Sequence, residues 1–187
     1  MQNRPGATAP QRPEPEPEPA ITLRRPERSM AGEFLTAVRL SRDLHGPWVV
    51  APDSLAGYRA YLDRLQQDSN LGYFVMTADE RIAGVINVNE IVRGVFRSGY
   101  LGYYAFLPWT GRGYMRAGMR RVITRAFRVH RLHRLEANIQ PGNEPSRRLV
   151  GALGFRLEGY SPRYLKIRGR WRDHERWAIT REEWRPG

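Results

Sequence analysis

Between Gly72 and Phe106 the chain runs through three segments rich in branched and aromatic residues, GYFVMT, RIAGVINVNEIV and SGYLGYYAF, parted only by short polar stretches at 78–80 and around Arg93–Gly94. Segments of this composition and close spacing form antiparallel strands joined by tight turns. They lead directly into TGRGYMRAGMRRVITRAFRVH, where Met115, Met119, Val122, Ile123 and Ala126 recur at i, i+4, i+7, i+8 and i+11. That spacing places one apolar stripe along an amphipathic helix. Three strands followed at once by such a helix exclude all-helical and all-strand architectures.

The flanks extend the same pattern. ITLRR from Ile21 alternates like a short strand, and SMAGEFLTAVRLSRDLH carries Met30, Phe34, Ala37, Val38 and Leu44 near helical spacing. DSLAGYRAYLDRLQQ predicts a second helix, N-capped by Asp53 or Ser54, with Leu55, Tyr58, Leu62 and Leu65 on one stripe. Beyond the long helix, RLEANI reads as a strand and SRRLVGALG as a short helix stopped by Gly154. FRLEGYSPRYLKIRGRWRDHERWAIT then reads as two strands turning at 168–170. The expected order is βααβββαβαββ.

Residues 1–19, MQNRPGATAPQRPEPEPEP, alternate Glu with Pro and carry no large hydrophobe after Met1, so they predict a disordered tail before a single domain at 20–187. No window approaches the roughly 18 apolar residues of a membrane span, and the start has no signal-peptide core, which leads to the expectation of a cytoplasmic protein without membrane attachment. The absence of cysteine removes disulfides, thiolate metal sites and a cysteine nucleophile, and four scattered histidines argue against a metal. The net charge is +12 over 187 residues, and Lys166 is the only lysine, so the excess is almost wholly arginine. Such a field steers anions toward the chain without selecting among them.

The stretch Trp109-Thr110-Gly111-Arg112-Gly113-Tyr114-Met115 sits where the long helix opens. The first N–H groups of a helix have no internal acceptor, so a glycine-rich turn there is an anion site by geometry, with Arg112 and Arg116 adding charge. A bare Gly-Arg-Gly is equally a helix-opening turn with a solvated arginine. It lacks the lysine of a Walker loop and the full GxGxxG spacing of a dinucleotide fold.

The strand, the TGRGYM turn, HRLEANIQPGNEPSRRLVGALGFRLEGY and RGRWRDH, in this order over about residues 21–184, resemble the GNAT acetyltransferases, and within them the RimJ/RimL group of ribosomal-protein N-terminal acetyltransferases. VNEIVRGVFRSGYLGYYAF is similar to the RimJ branch. The resemblance implies an α/β fold: a mixed, mostly antiparallel sheet of six to seven strands, splayed at its centre and flanked by about four helices. It implies acetyl-CoA as cosubstrate and direct transfer of the acetyl group to a protein N-terminal α-amine, the protein being ribosomal. Acetylation of a small amine such as an amino acid or antibiotic is the alternative, and a non-catalytic ribosome- or RNA-binding protein on the same fold is the second.

Carried over by residue, the resemblance places the pyrophosphate on main-chain N–H groups of Gly111, Arg112, Gly113, Tyr114 and Met115, with Thr110 and Met115 departing from the general family motif. The preceding strand near Ala105, Phe106 and Leu107 would hydrogen-bond the pantetheine. Asn143-Glu144-Pro145-Ser146 matches the family's Asn-x-x-Ser, so Asn143 and Ser146 are cofactor contacts and Ser146 is the candidate donor to the departing thiolate; each is equally suited to cap a helix. Asn138 is a candidate contact to cofactor or acceptor. Glu90 is the candidate base acting through water, with an exposed strand glutamate as the plain alternative. His133, Tyr160 and Tyr164 are given no chemistry. Trp171 is expected to pack and Asp173 to fix the last hairpin turn. The helix, expected over Arg112–Arg134, carries eight arginines and no acid; a solvated face is the plain alternative to contact with rRNA or the CoA 3′-phosphate, and salt-dependent RNA association that falls when Arg120, Arg121 and Arg125 are neutralised together is the test.

Overall fold

A computed structural model describes residues 18–46 and 48–186. One seven-stranded sheet has the order β1-β2-β3-β4-β5-β7-β6. Its strands are β1 (Thr22–Arg24), β2 (Leu71–Met76), β3 (Ile82–Val92), β4 (Ser98–Ala105), β5 (Arg134–Ile139), β6 (Arg156–Ile167) and β7 (Arg170–Thr180). Every neighbouring pair is antiparallel except β4 and β5. The helices are α1 (Ala31–Leu40), α2 (Arg42–His45), α3 (Leu55–Arg64), α4 (Tyr114–Arg128) and α5 (Glu144–Ala152). The parallel β4–β5 pair follows from α4, because a parallel connection needs a crossover and the amphipathic helix supplies it.

The alternation in each strand divides the interior in two. Tyr73, Val75, Ile86, Val88, Leu101, Leu135, Ala137 and Ile139 turn to one face and meet the α4 stripe of Met119, Val122, Ile123 and Ala126, with Val150 of α5. Phe74, Met76 and Val85 turn to the other, where α1 and α3 contribute Phe34, Val38, Tyr58, Tyr61 and Leu62. Ser54 caps α3, its hydroxyl accepting from Gly57 N at 3.1 Å. Gly118 lets α4 settle on the sheet: a Cβ there would stand 2.5 Å from Val75 Cγ2 and 3.0 Å from Ile86 Cδ1. Gly118→Val is therefore expected to lower unfolding stability by about 1–3 kcal/mol through overpacking, read as a lower denaturant midpoint. An unchanged midpoint would mean that α4 is not closely seated.

Several expectations need correction. The first predicted helix is interrupted at Ser41, whose hydroxyl accepts from Leu107 N at 3.0 Å, so that the four-residue α2 follows α1. Leu44 and Leu55 are 40% and 47% exposed; His45 and Tyr61 are buried instead, and Tyr58, Leu62 and Leu65 are buried as expected. The basic helix is Tyr114–Arg128, which leaves Arg112 in the preceding turn, Arg131 in the following one and Arg134 on β5. Trp171 is 59% exposed and lies outside the buried core. Asp173 holds the irregular middle of β6 rather than the hairpin turn, accepting from Tyr160 Oη at 2.5 Å and Arg163 N at 2.7 Å. Of the expected tail, residues 1–17 lie outside the described residues. Glu18 is ion-paired with Arg116 and Arg120, at 3.2 Å each.

Burial sets a pH dependence. Desolvation holds His45, His130 and His174 below the usual histidine value; backbone acceptors oppose this at His45 and His174, and Arg125, Arg93 and Arg25 add to it at His130. Each is neutral in the folded chain where the unfolded chain already binds a proton, so stability rises with pH across that window. The contribution is complete above the unfolded value of about 6.5 and is lost as pH falls through the lowered folded values. The melting temperature should be lower at pH 5.5 than at pH 7.5. A flat profile would show that these rings titrate freely.

Candidate active site

β4 and β5 pair only from Ser98↔Arg134 to Leu101↔Ala137, yet β4 runs on to Ala105 and β5 to Ile139. The two strands answer to different partners. β4 follows β3 as far as Gly84↔Ala105, and β5 follows β7 as far as Ile139↔Glu175. A gap therefore opens in the middle of the sheet, lined on one side by 102–105 and on the other by Asn138 and Ile139.

The β4 lip has a defined set of free backbone groups. Phe106 N donates to Ala83 O at 2.9 Å, and antiparallel pairing turns alternate residues toward the partner strand, so Tyr103 and Ala105 present their backbone groups to the gap. Ala105 O is already bonded to His45 Nε2 at 2.9 Å. Phe106 and Leu107, assigned to the pantetheine from the sequence, have no free N–H: Leu107 N is held by Ser41, and Phe106 O accepts from Trp109 N at 2.9 Å. Of the stretch named from the sequence, Ala105 keeps its N–H open to an extended ligand, and Tyr103 before it presents its backbone to the gap as well.

Beyond β4 the chain turns through Gly111 (φ 73°) and Gly113 (φ 80°), a left-handed backbone region suited to glycine. Gly113 is the N-cap of α4 and brings no side-chain acceptor. The first bond of the helix is Ala117 N to Gly113 O, at 3.0 Å, so the N–H groups of Tyr114, Met115 and Arg116 have no acceptor within the helix. Tyr114 packs edge-on against Trp109 at 5.4 Å between centroids, and the Arg112 guanidinium lies 5.9 Å from the Trp109 ring. An uncapped helix start beside a cation fits a pyrophosphate. Arg116 and Arg120 are less available than the sequence indicates, because Glu18 occupies both.

The α5 side carries the hydroxyl chemistry. Asn143, not Ser146, is the N-cap: Asn143 Oδ1 accepts from Ser146 N at 3.3 Å. This leaves the Ser146 hydroxyl free of capping, and it lies 2.6 Å from Tyr103 Oη. The bond joins the two lips of the gap, from β4 to the helix that follows β5. Burial pushes the Tyr103 phenol up to about 12, with Ser146 pulling the other way. The phenol is protonated at neutral pH, so the pair holds two hydrogens, uses one between its oxygens and has one to donate. Tyr103 was missed in the sequence because SGYLGYYAF contains three tyrosines that differ only in which face they take.

Asn138 and Glu136 lie on the opposite face of β5 from Leu135, Ala137 and Ile139. Asn138 Oδ1 is buried and has no hydrogen-bond partner among the described residues. Glu136 stands opposite Tyr100, one pair before the β4–β5 pairing ends, and accepts from Arg134 Nε at 2.8 Å. Alternation in RLEANI was the available signal for it. Glu90 is elsewhere: it is exposed, has φ 48°, and sits at a register break on β3 two residues past Val88, the partner of Leu101. β4 separates it from the gap. His133 pairs with Glu182 at 3.0 Å at the closed end of the sheet, and the Tyr164 ring lies 6.2 Å from His174. Among the described residues no cluster of three His, Asp or Glu side chains is placed to hold a metal, and no helix is long and apolar enough to cross a membrane.

Residues 20–156 match the model of the acetyltransferase (GNAT) domain family. The chain is 37% identical over 150 residues to the [Ribosomal protein uS5]-alanine N-acetyltransferase of Escherichia coli (strain K12), covering 75% of this chain and 77% of that protein. Its fold is similar to that of Mycobacterium smegmatis RimJ in complex with CoA-disulfide, with a TM-score of 0.82, 27% identity and coverage of 88% and 84%. It is also similar to the ribosomal-protein-S5-alanine acetyltransferase of Vibrio fischeri, with a TM-score of 0.77, 26% identity and coverage of 89% and 96%. With the split sheet, the uncapped glycine turn and these matches together, the chain belongs to the GNAT acetyltransferase family, related to the ribosomal-protein-alanine N-acetyltransferases, and is an acetyl-CoA-dependent acetyltransferase.

Proposed function

We propose that the chain acetylates the N-terminal α-amine of a protein, and that this protein is ribosomal. The observation that carries the reading is the 37% identity over 150 residues to an enzyme named for the alanine of ribosomal protein uS5. The cell compartment that follows is the cytoplasm, where ribosomal proteins are made.

The gap suits such a transfer because its two faces carry different groups. Acetyl-CoA supplies the activated thioester when bound. The N–H groups of Tyr114, Met115 and Arg116 would hold its pyrophosphate, and the backbone of Tyr103 with the Ala105 N–H would hold an extended chain in the manner of an added strand. On the α4/α5 face, Ser146 donates its free hydrogen where sulfur gathers charge, with Tyr103 fixing the hydroxyl. On the α1/α3 face, Glu136 and Asn138 meet the incoming amine, and Glu136 takes its proton through water. An α-amine has a pKa near 8, so modest help suffices. Glu90, exposed and one strand away, serves less well.

The test is a panel of short peptides beginning with Ala or Ser set against free amino acids, polyamines and aminoglycosides, with acetyl-CoA and detection of mass gain and CoA release. Acetylation of the Ala-starting peptides at the α-amine supports the proposal. Transfer confined to the small amines would replace the protein acceptor with a metabolite, and acetyl-CoA binding without transfer to either would favour a non-catalytic role.

A further inference from the structure

The closed end of the sheet, opposite the gap, carries a second cluster that the acetyl transfer does not use. A pocket of about 510 Å³ is lined by Arg97, Phe127, Arg128, Arg131, Arg181, Trp184 and Pro186. It lies at the C-terminal end of α4, whose 15 residues set it roughly 22 Å from the glycine turn.

Four arginines converge there from three places in the sequence, and backbone bonds fix those places side by side. Arg97 O accepts from His133 N at 2.6 Å and from Arg134 N at 3.2 Å, and Arg181 N donates to His133 O at 2.9 Å. Among the described residues Arg97, Arg128 and Arg131 have no carboxylate partner, and Arg181 meets Glu182 only at 3.8 Å. The nearby acids are engaged elsewhere, Glu182 with His133 and Glu183 with Arg156. A solvated basic face would distribute its arginines over a convex surface, whereas here they rim a concavity with Phe127 and Trp184 among its walls.

The β3–β4 hairpin adjoins this pocket. Arg93 Nη1 donates to His130 O at 3.0 Å, tying the hairpin to the end of α4. Its tip presents Val95 at 96% exposure and Phe96 at 67%, between Arg93 and Arg97. An exposed ring flanked by arginines has no stabilising role in the fold, since its area stays in water. Guanidinium groups set to engage phosphates, with a free aromatic face beside them, are what a single nucleic-acid strand requires: cations track the backbone and a base stacks on the ring. An acidic protein surface would meet the arginines but leave Phe96 without a role.

We propose that the closed end of the sheet, Arg97, Arg128, Arg131 and Arg181 with the exposed Phe96, binds single-stranded RNA. The surface is distinct from the acetyl-CoA gap and its occupation does not require the transfer reaction. It also relocates the RNA contact expected from the sequence: Arg120 is paired with Glu18, and the Arg125 guanidinium lies 5.9 Å from the Tyr73 ring, so neither heads this surface.

The experiment uses the full chain and a fluorescein-labelled oligouridylate of about twelve nucleotides, followed by anisotropy over a range of salt. Four phosphate contacts on a single strand give a log–log salt slope of about −3. Arg128→Gln with Arg131→Gln is expected to weaken binding at least about tenfold and to bring the slope down by roughly half. Phe96→Ala is expected to cost about tenfold by loss of stacking. The control pair Arg39→Gln with Arg59→Gln, on α1 and α3, removes the same charge from the other face and should change little. Melting curves report whether each variant folds; if the double variant melts early, Phe96→Ala, which removes a side chain already in solvent, decides. Equal losses in both arginine pairs would reduce the binding to net charge and overturn the proposal. So would the absence of RNA binding, or an oligoglutamate of matched charge binding as well and with the same variants sensitive, which would make this an acidic-protein site.

Discussion

Ser146→Ala is expected to lower kcat by about 10²–10⁴-fold, the range over which a positioned proton donor acts, while leaving acetyl-CoA affinity within about a factor of three. The asymmetry follows from where Ser146 sits. Asn143 caps α5 without it, so the helix survives, and the hydroxyl is held by Tyr103 across the gap at 2.6 Å rather than by the turn that would bind phosphates. Tyr103→Phe should fall between wild type and Ser146→Ala, because the serine keeps its hydrogen but loses the group that aims it. The double variant should be no worse than Ser146→Ala alone, since the pair acts as one unit. Burial pushes Tyr103 up to about 12, so the pair keeps both hydrogens from pH 6 through pH 10. The pH–rate profile should rise with deprotonation of the acceptor amine and show no descending limb in that range. Steady-state kinetics with calorimetric acetyl-CoA binding distinguish the cases: an unchanged kcat in Ser146→Ala removes the serine from the mechanism, and a large loss of affinity reassigns it to binding.

Gly113→Val is expected to weaken acetyl-CoA binding by about a hundredfold or more, with a smaller effect on folding. At φ 80° any L-residue is strained by about 1–2 kcal/mol and a β-branched one by more, and the added side chain would also meet Pro19 Cδ, 3.1 Å from the Cβ position. The chain relieves this by turning the cap out of the left-handed region, which swings the unpaired N–H groups of Tyr114, Met115 and Arg116 off their common direction. A phosphate bound by converging N–H groups loses most of its affinity when they diverge. Calorimetry on the variant, with circular dichroism to confirm the helix content, reads the effect. Retained affinity would show that the phosphates bind elsewhere.

Much of this molecule is legible along the chain. The order of elements, β5 at Arg134–Ile139 to the residue, the helix stop at Gly154 and the glycine turn before α4 all follow from local spacing, because strand alternation, helical periodicity and left-handed glycines are set by residues within a few positions of one another. Where local rules competed, the sequence reading erred. Leu44 and Leu55 fit the helical stripes but lie exposed, because helix orientation is decided by neighbours that the periodicity does not name.

The working parts of the site belong to the tertiary structure. Tyr103 and Ser146 are 43 residues apart and meet only because β5 leaves β4 to follow β7, a competition between two strand partners that no local pattern records. The same departure frees Tyr103 and Ala105, while Ser41 and Ala83 consume the N–H groups of Leu107 and Phe106. The arginine-rich helix makes the point for charge. Its sequence specifies a single-signed run, but Glu18 pairs with Arg116 and Arg120 in its first turns, while Arg128 and Arg131, without acids, gather with Arg97 and Arg181 at the far end of the sheet. The sequence by itself determined the elements and their chemistry in outline; which groups face one another, and which remain free, was decided by long-range pairing, because a hydrogen bond or an ion pair has a single winner among distant competitors.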